Sequence, residues 1–226
     1  MDAAVYQRVR KLLLIGVVAS LVTVVGGELP IGWVVYPEGE NYLLSMLLSC
    51  RELSLLQLAC GMFFGAIGIP LQYYGFEAVA QIVGIGGNER SGKLIHWGAL
   101  ACAFWGGIVH IVCVALMFLC KVQDPQTMVR SALDFFLWLV MPISAVFMPI
   151  YYAMTVAMLV VTAKGKTVFP RRAAVFNPLT AASVLNLLPA IAPNTALMNA
   201  LNMANMGIGS LLTFGGLLLL LPKENG

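Results

Sequence analysis

Six long apolar runs recur along this chain, at 12–32, 53–83, 94–120, 132–162, 173–191 and 196–221, and most charged residues lie between them. The hydrocarbon core of a bilayer is about 30 Å thick, which a helix crosses in about 20 residues. Inside it every backbone N–H and C=O must be bonded within the protein, so each run defaults to helix. Composition agrees, with 60% hydrophobic and 10% charged residues. Soluble domains carry about 25% charged residues, and a globule this poor in charge could not cover its own surface. The expected fold class is all-α: a polytopic membrane helix bundle with six transmembrane helices, forming a single domain over 1–226.

Prolines punctuate this plan. Pro30 and Pro222 close the first and last runs, and Pro70, Pro142 and Pro149 are expected kinks. Between the first two runs, 38–52 holds Leu43, Leu44, Met46, Leu47 and Leu48. It is too short to cross, so it is expected to form a short amphipathic segment on the outer surface.

Basic residues set the orientation. With the N-terminus inside, Arg8, Arg10, Lys11, Arg90, Lys93, Lys164, Lys166, Arg171, Arg172 and Lys223 fall on the cytoplasmic side. Only Arg51, Lys121 and Arg130 remain outside. The expected location is the cell membrane, multi-pass, with both termini cytoplasmic. A secretory leader also begins with basic residues before an apolar run, but no A-x-A-like site follows here and the run ends in Gly-Gly-Glu-Leu-Pro, so it is read as a retained first helix.

The net charge of +3 is scattered and offers no basic patch for nucleic acid. The partners to expect are membrane lipid and a lipid-like or small-molecule ligand. No cofactor and no oligomeric state can be read from the residues.

An ionisable side chain within a membrane is costly and is a functional candidate by default. Glu28 lies 17 positions beyond Lys11, roughly 25 Å up from the inner face at helical rise. His110 comes to a similar height on the third run, Asp134 lies near the outer end of the fourth, and Asn199, Asn202 and Asn205 lie in the outer half of the sixth. Gln57 and Asn186 come at comparable depth. The three asparagines recur every third residue, which on a continuous helix places them on one flank. Interhelical hydrogen bonding explains such amides as readily as a binding site does.

His110 admits three readings: a core histidine bonded to a neighbouring helix, a general acid/base, or a metal ligand together with Glu28 and Asp134. The metal reading is the weakest, because the chain has two histidines and no HxxxH or HExxH spacing. Glu28 and Asp134 could also sit at the wet interface, although Gly26, Gly27 and Pro30 suggest that the first helix ends inside the protein. A second polar group, Gln72, Tyr73, Tyr74, Glu77 and Gln81, falls near the inner end of the second run and reads as structural, with Glu77 pairing either His96 or inner-loop basic residues.

No P-loop, GxSxG, CxxCH or CaaX signal is present, and Gly84–Asn88 joins two helices as a turn. The five cysteines form no CxxC pair and read as apolar packing residues. Cys50 and Cys120 are the two placed near the outer face, and a disulfide between them is left open.

Two function classes fit. In the first, a membrane-embedded enzyme acts on a lipid-like or small amphiphilic substrate in an outer-leaflet pocket. His110, Glu28 and Asp134 perform acid–base chemistry there, while Asn199, Asn202, Asn205, Asn186 and Gln57 bind the polar head. In the second, the same buried acids serve a small-solute transporter or a ligand-binding membrane protein. No inverted repeat supports transport, so the enzyme is expected first.

The stretches Gly65-Ala66-Ile67-Gly68-Ile69-Pro70, Gly106-Gly107-Ile108-Val109-His110, Gly165-Lys166-Thr167-Val168-Phe169-Pro170 and Phe176-Asn177-Pro178 resemble a family of uncharacterised bacterial six-helix integral membrane proteins, a domain of unknown function. The resemblance spans most of the chain and implies a fold but no reaction. Members of that family often carry Gly-Asp late in the first helix. This chain has Gly27-Glu28, which keeps the acid but makes it one methylene longer.

Overall fold

The computed structural model describes residues 2–38 and 41–222, and every regular element among them is helical. Lys223, counted above among the inner basic residues, lies outside the described residues, as do residues 39 and 40 of the outer segment.

Four helices are long and apolar enough to cross a membrane: α1 (Ala3–Gly32), α3 (Leu55–Ile85), α4 (Glu89–Val122) and α5 (Gln126–Ala163). Their starts are set by side chains that take up the free N–H groups of a first turn. Asp2 accepts from Val5 N at 2.8 Å, and Asp124 accepts from Gln126 N at 2.8 Å. Ser54 and Gln57 form a reciprocal capping box at the start of α3.

Two of these helices carry a π-helical turn just ahead of a proline. In α1 the turn is Val22–Glu28, and Leu29 N–H reaches back to Val24 O, one residue before Pro30. In α5 the turn is Phe136–Val140, and Met141 N–H reaches back to Phe136 O, one residue before Pro142. A proline lacks the N–H that would continue the ladder, and the wider turn shifts the bonding register where the ladder is already broken.

The last part of the chain departs from the six-helix expectation. The run 173–191 makes no spanning helix: Arg171–Val175 is a 3-10 turn, α6 (Pro178–Asn186) has 9 residues, and a single turn covers Leu188–Ile191. Pro178, Pro189 and Pro193 account for this, since each removes a backbone donor. The run 196–221 is α7 (Ala196–Met203) and α8 (Asn205–Leu219), bent by 66° at Ala204. Among the described residues, the helices long and apolar enough to span therefore number 4, or 5 if the bent pair is one span. The broken stretch still joins the two ends of the bundle. Asn88 Nδ2 donates to Lys166 O at 2.8 Å beyond the last turn of α3. At the other end, Asn194 exchanges two hydrogen bonds with the Tyr36 backbone, at 3.2 and 2.7 Å.

The helices form a ring. Helix α4 packs between α3 and α5, α1 packs between α3 and α8, α6 lies along α8, and the 171–175 turn meets α5. Glycines allow the close approaches. Gly27 of α1 lies on Gly65 of α3, where an added Cβ would stand 3.0 Å from the Gly65 nitrogen. Two packed clusters fill the ends of the ring. One gathers Leu13, Phe76, Ile82, Ile95, Met154 and Phe214; the other gathers Ile31, Leu47, Leu58, Val114, Cys120 and Met128. The short outer segment is α2 (Tyr42–Ser49), capped by Asn41 and packed against the start of α5 and the end of α4.

Candidate functional site

A cavity of about 220 Å³ lies inside the ring. It has room for about seven waters at roughly 30 Å³ each. Its walls come from α1 (Glu28, Ile31), α3 (Ile69, Gln72, Tyr73, Phe76), α4 from Ala99 to Met117, α5 (Phe147, Tyr151) and the bent pair α7–α8 (Met203 to Ser210). Along α4 this wall extends 18 positions, roughly 27 Å at helical rise. The space is long, narrow and mostly apolar.

Few polar groups face it. Glu28 sits at the end of the π-helical turn and is 8% exposed. Its carboxylate lies against Gly207, and Oε2 has no hydrogen-bond partner in the protein. Gly207 sits in the first turn of α8, where the break at Ala204 interrupts the helical ladder. A Cβ at Gly207 would fall on Glu28 Oε2, so a side chain there would displace the carboxylate.

His110 is buried on α4, and its Nε2 lies 2.8 Å from Gly61 O. A carbonyl only accepts, so Nε2 carries the hydrogen, and in the neutral ring Nδ1 keeps its lone pair. The ring lies against Gly65, where any Cβ would occupy its place. Tyr151 also lines the cavity within electrostatic range of Glu28, and its hydroxyl is buried without a partner. Gln72 is committed elsewhere: its Nε2 donates to Thr23 Oγ1 at 3.2 Å, and Thr23 donates to Ala19 O at 2.9 Å.

Of the site residues expected from sequence, Glu28 and His110 thus both line the cavity, and the others are not among its lining. Asp134 is exposed on the first turns of α5. Asn199 Nδ2 donates to Val34 O at 2.8 Å and to Asn194 Oδ1 at 2.9 Å. Asn202 donates to the Tyr42 hydroxyl at 2.8 Å, and Asn205 to Asn186 Oδ1 at 2.9 Å. Gln57 donates to Pro30 O at 3.0 Å. These amides tie α7, the first residue of α8 and the start of α3 to the ends of α1 and α6, to α2, and to the irregular chain at Val34 and Asn194. The period of three assumed a straight helix, and the 66° bend at Ala204 removes that premise. Among the described residues, no three His, Cys, Asp or Glu side chains gather as metal ligands would.

Tyr151, Ser210, Cys102 and Cys113 line the cavity without having been singled out. Only Tyr151 carried a usable signal, a phenol deep within an uncharged run. Near the other mouth of the ring, Glu77 pairs with His96, Oε2 to Nδ1 at 2.6 Å, and accepts from Gln81 Nε2 at 2.8 Å. Tyr73 lines the cavity, and its ring lies edge-on to His96 with centroids 6.2 Å apart.

A family profile matches residues 1–224, nearly the whole chain. The chain belongs to DUF6796, a family of unknown function. No curated protein and no solved structure matches this DUF6796 member. Its chemistry therefore has to be argued from the cavity itself.

Proposed function

We propose that this DUF6796 member is a membrane-embedded enzyme that acts on a lipid-like or small amphiphilic substrate held in the central cavity. One observation carries the proposal: a long apolar space holds a carboxylate oxygen and a phenol hydroxyl, both buried and unpartnered, beside an imidazole of fixed tautomer. Leaving a buried polar group unpaired costs about 1–3 kcal/mol, and a ligand with matching polar atoms removes that cost. The apolar tail lies along Ile69, Val109, Met117 and Phe147, and the polar end meets Glu28, Tyr151 and His110. His110 Nδ1 takes a proton from the substrate's polar end, Glu28 exchanges the second proton, and Tyr151 orients the group between them. Asp134 and the outer amides take no part in this step.

The reading includes a bacterial inner membrane crossed six times, with both termini cytoplasmic. Its fifth crossing is the broken stretch 166–194, and the inner excess of Lys and Arg supports the orientation. Substrate enters beside α5, the least enclosed spanning helix, with 11% of its most apolar window buried against 28–44% in the other three.

Two features favour transport of a small solute as a second reading. Discontinuous helices line many transport sites, and here the break in α7–α8 sets Gly207 against Glu28. Tyr73 also lines the cavity while its ring lies beside His96 of the Glu77–His96 pair at the opposite mouth. Untargeted mass spectrometry of molecules co-purifying with wild type, His110→Ala and Glu28→Gln separates the readings. An enzyme gives a different bound species in His110→Ala, related to the wild-type species by one chemical step. A transporter gives the same species throughout, depleted in Glu28→Gln. Identical profiles at equal occupancy in all three proteins remove the basis of both.

A further inference from the structure

We infer that Cys50 and Cys120 are a disulfide-forming pair, a covalent modification site that locks the cap helix α2 to the end of α4. The pair lies at the opposite end of the molecule from the Glu77–His96 mouth, and the inference rests on the orientation proposed above but not on what the cavity holds.

Cys50 opens the 3-10 turn Cys50–Glu52 that follows α2 and is 3% exposed. Cys120 lies in the last turns of α4 and is 0% exposed. Both are free thiols, and each lies within interaction range of the other. The Cys50 thiol also donates to Met46 O at 3.3 Å.

Their neighbours hold the two backbones side by side whatever the sulfurs do. Arg51 Nη1 donates to Gln123 O at 2.9 Å, and Lys121 Nζ donates to Arg51 O at 3.0 Å. These two bonds, from residues flanking each cysteine, pin the turn to the end of α4. A disulfide needs its two Cβ atoms within about 3.5–4.5 Å, and strands already strapped together meet that need with little movement. Cys102 and Cys113 instead face the cavity, and Cys60 lies half-buried on α3.

The chemistry is thiol–disulfide exchange with a thiol–disulfide oxidoreductase of the outer compartment. One cysteine, as thiolate, attacks the oxidoreductase disulfide and forms a mixed disulfide, releasing one oxidoreductase thiolate. The second cysteine then attacks the bridging sulfur and expels the other oxidoreductase thiolate. The pair loses two electrons and two protons, and the oxidoreductase disulfide becomes a dithiol. Once α2 has docked, both cysteines are buried out of reach of an oxidoreductase. The exchange therefore takes place as the cap closes during assembly.

The test traps thiols with N-ethylmaleimide in intact cells before lysis, then maps peptides of the full-length protein without reduction. The expected result is a Cys50–Cys120 linked peptide in most molecules, with Cys60, Cys102 and Cys113 unlinked. Reductant should separate the linked peptides and lower the thermal midpoint of wild type in detergent, while leaving Cys50→Ala/Cys120→Ala unmoved. Maleimide on both Cys50 and Cys120 after denaturation without reductant would overturn the inference, as would linkage of either to another cysteine. If the double alanine variant fails to fold, the peptide map of wild type decides alone.

Discussion

The front of the molecule and its back third are almost equally apolar, yet they are built differently. Helices α1, α3 and α4 run 30, 31 and 34 residues and meet through glycines, while the chain from 166 to 219 is broken into short helices and turns held by asparagine side chains. At the front, backbone groups are satisfied within each helix and the association comes from close packing. At the back, proline and chain breaks free backbone groups, and amide side chains far along the sequence bond some of them. Asn177 donates to Thr155 O at 3.0 Å and caps α6 by accepting from Leu179 N at 2.9 Å. The comparison teaches that hydropathy sets where a chain resides, while donors and breakers set whether it crosses as one helix. The cavity lies where the two kinds of construction meet, with Glu28 from a continuous helix touching Gly207 of a broken one.

Four substitutions and one control test this contrast. The largest effect is expected at Gly65→Val, whose first added carbon falls on the His110 ring while Gly27 of α1 presses from the other side. It exceeds the roughly 1–3 kcal/mol of ordinary overpacking, and no monodisperse species should survive size-exclusion chromatography in detergent. Gly84→Val, where an added Cβ meets nothing within 4 Å, is the control and should behave as wild type.

Phe214→Ala comes next. The ring is fully buried, with its centroid 4.8 Å from that of Phe76, and Gly16 and Gly75 close around it. Its removal should cost about 3–5 kcal/mol in a detergent unfolding titration. Third, Asn177→Ala should cost about 1–3 kcal/mol, by removing a cap and leaving Thr155 O without its side-chain donor. If Asn177→Ala were as damaging as Gly65→Val, the back third would be as tightly built as the front and the contrast would fall.

Asp134→Asn should do least. The side chain is exposed and lies outside the cavity lining, so stability should stay within about 0.5 kcal/mol and the co-purifying molecules should not change. A changed ligand profile in Asp134→Asn would show that the cavity reaches the first turns of α5 in the working protein.

Several features were legible in the residues. The apolar runs predicted α1, α3, α4 and α5, the segment around Leu43–Leu48 predicted a short outer helix, and Glu77 was paired with His96 as one of two alternatives. Glu28 and His110 stood out because charge and imidazole are costly in lipid. Hydropathy does not register the broken form of the chain at 173–191 and 196–221, because an apolar average carries no trace of three prolines or a bend at Ala204.

The apolar runs, the helical class and the set of polar side chains to be accounted for all follow from the residues alone, because each is a property summed over a short window. What those side chains do follows from tertiary contacts. Asn199 and Glu28 are both polar groups in apolar runs, but Asn199 finds Val34 O, 165 positions away, while Glu28 Oε2 finds nothing. A partner at that distance in the chain leaves no local pattern, and neither does its absence. Whether a buried polar group is structural or available to a ligand therefore depends on contacts that exist only once the ring has closed.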